Sequence, residues 1–259
     1  MKPHPSPPPP AIDVAARNAA WLGFAADALF AIGLMLILSL AGGIVWAVIA
    51  AARGLDMATP GVLVQMAMAV IATGGTAVLL YLLRRRASAA EKQASLQAIH
   101  RPATWGWALL AGVAVFVGSS LVSWLFAQFS NQPTPSNMAL MEQARTQYPV
   151  LLVLFAVGLA PLYEELLFRR VLFGRLAAAG MVLPGIVLSS LLFAFSHEIP
   201  GLSGHGWMAM LQLWLVYGGM GAAFAWLYQR TGTLLAPILA HAINNGAALC
   251  VLMLGLVSH

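Results

Sequence analysis

Apolar residues run along this chain in long blocks rather than in alternation. Seven blocks can be drawn, at 28–52, 61–83, 104–128, 149–168, 182–197, 207–229 and 233–256. Most approach the ~20 residues that a helix needs to cross ~30 Å of hydrocarbon; the fifth is short. A lone strand cannot satisfy its backbone in lipid, so every block is predicted to be helical. The pattern predicts an all-α, polytopic membrane bundle of about seven transmembrane helices. Ahead of the blocks stands MKPHPSPPPP, whose six prolines cannot join a helix ladder. Residues 1–20 are expected to form a disordered tail and 21–259 a single membrane-embedded domain. The opening does not resemble a cleaved signal peptide, so insertion is expected to rest on the first block.

Composition sharpens this picture. Apolar residues make up 61% of the chain and charged residues only 8%. A soluble domain carries about a quarter charged residues, so this chain cannot cover a water-facing surface of its size. That excludes an ordinary soluble enzyme, a disordered chain and a nucleic-acid binder. The 13 basic residues against 8 acidic ones read instead as a topology signal. With the N-terminus inside, Lys2, Arg17, Arg84, Arg85, Arg86, Lys92, Arg101, Arg169, Arg170, Arg175 and Arg230 fall on the inner side. Only Arg53 and Arg145 fall outside. This orientation, with the N-terminus cytoplasmic in a bacterial inner membrane, is the one the sequence favours.

The remaining ionisable groups are few and concentrated in the second half, over 149–256. Inside a membrane such groups are costly and point to a functional site. In Pro161-Leu-Tyr-Glu164-Glu165-Leu-Leu-Phe-Arg169, Glu165 and Arg169 stand at i, i+4 with the acid first, the favourable order for a helical ion pair. Glu164 points about 100° away and has no such partner. A carboxylate left unpaired in a low-dielectric bundle suits a proton acceptor. Phe193 and His197 share a face at the end of the fifth block, and His241 and Asn245 share one in the seventh. Pro237 is expected to kink that last helix beside His241. Taking Gly180 as a turn, Glu164 and His197 lie 16 and 17 residues from it. That puts both at about 24–26 Å along antiparallel helices. A polar catalytic cavity opening to the cytoplasm follows from that registry, although apolar length alone puts His197 nearer the outer face. Gln65, Gln212 and Tyr217 read as interhelical hydrogen-bonding groups. Gly218 with Ala222, and Gly221 with Ala225, read as helix-packing pairs. His4, His100 and His259 read as surface residues, His205 as a solvated loop histidine with an extra metal ligand as the alternative, and Cys250 as a lone thiol in an apolar run.

Glu-Glu-x-x-x-Arg at 164–169, Phe-x-x-x-His at 193–197 and His-x-x-x-Asn at 241–245 resemble, in order, the three motifs of the CPBP family. That family comprises CAAX prenyl endopeptidases, including the Ras-converting endopeptidase, and bacteriocin-processing or immunity proteins. The resemblance implies a multi-helix intramembrane protease with Glu164, His197, His241 and Asn245 as its catalytic set. Glu165, Arg169 and Phe193 would support that set.

The expected chemistry is peptide hydrolysis. Glu164 with His197 deprotonates a water, while His241 and Asn245 hydrogen-bond the oxyanion. The expected substrate is a peptide or membrane protein in the lipid bilayer. No cofactor is required by this reading. A zinc ion held by Glu164, His197 and His241 is the alternative, although His197-Glu198-Ile-Pro-Gly lacks a second histidine at i+4 and Pro200 interrupts the helix. Two other readings stand beside the protease: a non-catalytic immunity or scaffold protein of the same fold, and a small-solute transporter. The chain shows no internal symmetry of the kind transporters carry.

Overall fold

A computed structural model of the chain describes residues 14–129, 132–202 and 204–255. It is helical with no strand among these residues. Nine helices follow in order: α1 (Val14–Arg53), α2 (Val62–Arg84), α3 (Ala89–Ile99), α4 (Pro102–Ala127), α5 (Met138–Gln147), α6 (Pro149–Ala177), α7 (Val182–His197), α8 (Trp207–Thr231) and α9 (Leu235–Met253). Six of them, α1, α2, α4, α6, α8 and α9, are long and apolar enough to cross a membrane, and α7 is a shorter apolar helix. The seven apolar blocks therefore each became one helix. The lipid-facing surface is rich in exposed leucine, valine and isoleucine, as on Leu36, Leu40, Leu83 and Leu109. A polytopic helix bundle in a bilayer needs that surface.

Two boundaries differ from the sequence expectation. α1 begins at Val14, so residues 14–20 of the expected tail are helical; the rest of that tail, with His4, lies outside the described residues, as does His259. Pro237 is the third residue of α9 and produces no kink beside His241. The first amides of a helix have no intrahelical acceptor, so a proline there forfeits nothing.

Close packing rests on small residues. A Cβ added at Gly221 of α8 would lie 2.8 Å from Ser190 Cα of α7. One added at Gly112 of α4 would lie 2.8 Å from the Ala240 carbonyl oxygen of α9. Gly221 and the fully buried Ala225 thus serve internal packing. Gly180 takes a φ of 75° in the turn between α6 and α7, a conformation that suits glycine.

Polar contacts gather the basic residues at one end of the bundle. Asp27 of α1, fully buried, holds Arg84 and Arg175 at 2.7 Å each. Arg170 pairs with Glu91 of α3 at 2.8 Å. Arg85 donates to the Gly174 carbonyl, and Ser95 bonds Thr233. The opposite end carries the 54–61 and 132–148 connections. Gln65, in the first turn of α2, donates to the Pro60 carbonyl of the 54–61 connection rather than to another helix. His100 is exposed.

The glycine contacts predict a paired result on one helix. Gly112→Ala should lower thermal stability by about 1–3 kcal/mol through overpacking. Gly118→Ala meets open space and should be neutral or gain up to about 1 kcal/mol in helix propensity. Detergent-solubilised unfolding midpoints for the two variants check this.

Candidate active site

The site begins with a local irregularity in α6. Pro161 has no amide to give to the Val157 carbonyl, and the helix widens to i→i+5 turns over Leu154–Leu159 and again over Leu166–Phe173. The regular turn between them, Ala160–Glu165, carries the two glutamates. Such wide turns recur at functional sites because they re-aim neighbouring side chains.

Glu165 is fully buried and faces two partners. Its Oε2 lies 2.9 Å from Arg169 Nε, an ion pair by distance that is not aligned as a hydrogen bond. Its Oε1 lies 2.8 Å from His241 Nδ1. Arg169 reaches the Gly221 carbonyl at 3.4 Å and sits over the Phe193 ring at 4.7 Å and the Phe224 ring at 5.4 Å. Those rings supply cation–π attraction for a guanidinium withdrawn from water.

These partners dictate tautomers. A carboxylate paired with arginine is acceptor-only, so His241 Nδ1 carries the proton and donates it to Glu165. His197 Nδ1 lies 2.9 Å from the Phe193 carbonyl oxygen. A carbonyl also only accepts, so His197 Nδ1 is the donor. In the neutral imidazoles both Nε2 atoms are then the acceptors, and both face one carboxylate oxygen. Glu164 Oε2 is 3.9 Å from His197 Nε2 and 3.8 Å from His241 Nε2. That oxygen is buried and has no hydrogen-bond partner. Three acceptors therefore converge, too far apart to bond one another. The Glu164 and His197 side chains keep 15% and 20% of their exposure, so the edge of the cluster reaches the protein surface.

In kind, the three donors fit a divalent cation: two imidazole lone pairs and a carboxylate oxygen, each imidazole anchored through its other nitrogen. In spacing they would have to close by about half an ångström, since donors around zinc stand about 3.3 Å apart. Among the described residues no group of His, Cys, Asp and Glu already has metal-holding geometry.

The structure thus brings together Glu164, Glu165, Arg169, Phe193, His197 and His241. Asn245 is placed differently from the expected oxyanion donor. Its amide donates to the Ala156 carbonyl at 2.9 Å, inside the first wide turn, and its oxygen accepts from Asn244. Glu165 does more than its sequence spacing indicated, because it also orients His241.

Two aromatic residues escaped sequence reasoning as site residues. Tyr217 stacks on His197 at 4.4 Å and 25°, and Phe224 stacks on His241 at 5.0 Å and 26°. A signal existed: Tyr217, Gly221 and Phe224 recur at spacings of four and three, one face of α8. Gln212, expected to bond another helix, donates instead to Gln132 at 2.9 Å.

The end of α7 is covered by the 132–137 connection. Ser136 N–H donates to Glu198 Oε1 at 2.7 Å, and Ser136 Oγ donates to the His197 carbonyl at 2.9 Å. His205 bonds the Thr134 carbonyl at 3.0 Å, and Trp214 donates to the Glu198 carbonyl. Glu198 is buried. His197 therefore ends on the side of the bundle away from the arginine cluster. The registry that put Glu164 and His197 at one level agrees with their 3.9 Å approach.

Comparison with known proteins adds an independent line. Residues 146–247, which hold every site residue named above except those of the 132–137 connection, match the family described as type II CAAX prenyl endopeptidase Rce1-like. The membrane-embedded CAAX protease MroQ of Staphylococcus aureus (strain USA300) is 32% identical over 152 residues, covering 54% of this chain and 55% of that protein. YdiL of Bacillus subtilis (strain 168), named a "Putative membrane peptidase", is 31% identical over 97 residues, covering 38% of this chain and 35% of that protein. The chain spans about half the length, or less, of these curated relatives. No solved structure matches significantly. Through its 146–247 segment, which contains both glutamates, both histidines and Asn245, this integral membrane protein is similar to the type II CAAX prenyl endopeptidase Rce1-like family.

Proposed function

We propose that this chain is an intramembrane endopeptidase that hydrolyses a peptide bond in a membrane-associated peptide or protein. The observation that carries the reading is the convergence of His197 Nε2 and His241 Nε2 on Glu164 Oε2 at 3.9 and 3.8 Å. Three acceptors around one point make a place for a water, which can offer two protons. The relative named as a membrane-embedded CAAX protease supports the same class of chemistry.

In this reading Glu164 takes a proton from the water as it attacks the scissile carbonyl, and His197 holds the water by its second proton. His197 is itself held by Phe193 and Tyr217, which limits the geometries it can sample. His241 is backed by the Glu165 carboxylate, which stabilises an imidazolium when the proton moves inward. A protonated His241 Nε2 then donates to the oxyanion or to the leaving amine. Asn245 keeps the wide turn of α6 in place through Ala156 and acts on the reaction through that backbone.

The converging lone pairs favour a second reading of the same atoms, with a divalent cation on Glu164, His197 and His241. Such a cation would supply Lewis acidity and a more acidic water. The basic end of the bundle is proposed to be cytoplasmic, in a bacterial inner membrane, with the N-terminus on that side.

Glu164→Gln is expected to remove at least about 10²-fold of the cleavage rate with an unchanged unfolding midpoint. A panel of peptide and small membrane-protein substrates with purified protein measures it; undiminished cleavage rejects the assignment. Glu165→Gln should reduce activity and also destabilise, by up to about 3–5 kcal/mol for a broken buried pair, so loss of only one of the two disproves its double role. For the metal, stoichiometric zinc in purified protein, with activity lost on chelation and restored by zinc, establishes the cation reading; full activity after chelation establishes the metal-free one. For orientation, in a Cys250→Ala background, an impermeant thiol reagent should label Thr146→Cys from outside cells and spare Gln93→Cys, and the reverse pattern inverts the protein.

A further inference from the structure

The arginine-rich end of the bundle holds more positive charge than its own fold neutralises. Arg84 and Arg175 share Asp27, and Arg170 is matched by Glu91. The Glu91 carboxyl is pulled down to about 2 by that hydrogen-bonded guanidinium, so it is committed to Arg170. Arg85 stands among these pairs without a carboxylate of its own. It is half-buried, it gives one N–H to the Gly174 carbonyl, and its Nε is buried with no partner. Burial and the like charges of Arg170 and Arg175 lower its pKa, against a smaller opposing effect of Glu91 and Tyr228. A cation kept in such a place by the fold calls for an anion from outside it.

The depth of the cluster says which anion. α2 is apolar up to Arg84, and the exposed Leu82 and Leu83 immediately before it offer their surface to acyl chains. Arg85 and the exposed Arg86 follow at once, at the level where a bilayer places its phosphates. We infer that Arg85, with Arg86 beside it, forms a binding site for the phosphate of an anionic phospholipid headgroup, whose acyl chains lie along Leu82 and Leu83. The guanidinium supplies paired donors to phosphate oxygens, and the surrounding surplus of charge makes the site selective for a net-negative lipid over a zwitterionic one. Arg84, Arg170 and Arg175 are occupied by carboxylates and hold the site in shape. This site is separate from the glutamate–histidine cluster and does not depend on the proposed peptidase reaction.

The test uses the full chain in nanodiscs of phosphatidylcholine alone or with phosphatidylglycerol, read by thermal unfolding. Phosphatidylglycerol is expected to raise the midpoint of the wild type. Arg85→Gln should lose most of that rise, while Arg53→Gln, at the opposite end, should keep it. Inorganic phosphate added to phosphatidylcholine discs should leave the midpoint unchanged. An equal rise in wild type and Arg85→Gln, or no rise in wild type, overturns the site. A rise with inorganic phosphate as large as with the lipid assigns the site to a free anion and overturns the lipid assignment. Should Arg85→Gln fail to fold, native mass spectrometry of the wild type decides. Retention of phosphatidylglycerol about fivefold above phosphatidylcholine, the preference expected of one arginine at an anionic surface, supports the site, and equal retention overturns it.

Discussion

Glu165 is the residue on which the arrangement of the bundle centre depends. Its two carboxylate oxygens face Arg169 in its own helix and His241 on α9, and none of the three side chains keeps more than 3% of its exposure. Removing charges from water is expensive, and a buried ion pair alone adds little net stability. The pair supplies specificity instead. It sets the helical rotation of α6 against α9, fixes which nitrogen of His241 carries its proton, and extends through Arg169 to the Gly221 carbonyl on α8. The phenylalanines 193 and 224 close around the guanidinium, so the polar centre and the aromatic core are one packed unit.

Because that unit is rigid, the two glutamates next to each other in sequence have different environments. Glu165 is enclosed by partners. Glu164 is turned toward the two imidazole Nε2 atoms and its side chain is partly exposed. The difference comes from a rotation of about 100° per residue on the helix, made usable by the wide turns on either side. Asn245 belongs to the same construction: it hydrogen-bonds a backbone carbonyl within the first wide turn, where regular helix bonding is interrupted.

The two ends of the molecule are built from different interactions. One end is tied by long-range ion pairs through Asp27 and Glu91, which connect α1, α2, α3 and α6. The other is tied by neutral and carboxylate–amide hydrogen bonds from the 132–137 connection to the end of α7. His197 is joined to that connection through its backbone carbonyl, which accepts from Ser136 Oγ, while its imidazole is held by the Phe193 carbonyl.

By itself the sequence determined the helices and most of the site's members. The apolar blocks are long because lipid admits only internally bonded backbone, and the Glu165–Arg169 pair is local, set by the four-residue spacing of a helix. The motif order also singled out Glu164, His197 and His241. Contacts between distant residues left no such mark. Asp27 has no basic residue at i+4, and its partners lie 57 and 148 residues away. Tyr217 read only as an interhelical hydrogen-bonding group and Phe224 carried no mark of its own, and the packing of α8 set both rings on the histidines. Asn245 had the spacing of a site donor, but only the packing of α9 on the widened turn of α6 revealed that its amide is committed to Ala156. The tautomers of both histidines were decided in the same way, since a proton's position follows from the acceptor opposite it, and that acceptor is supplied by tertiary structure.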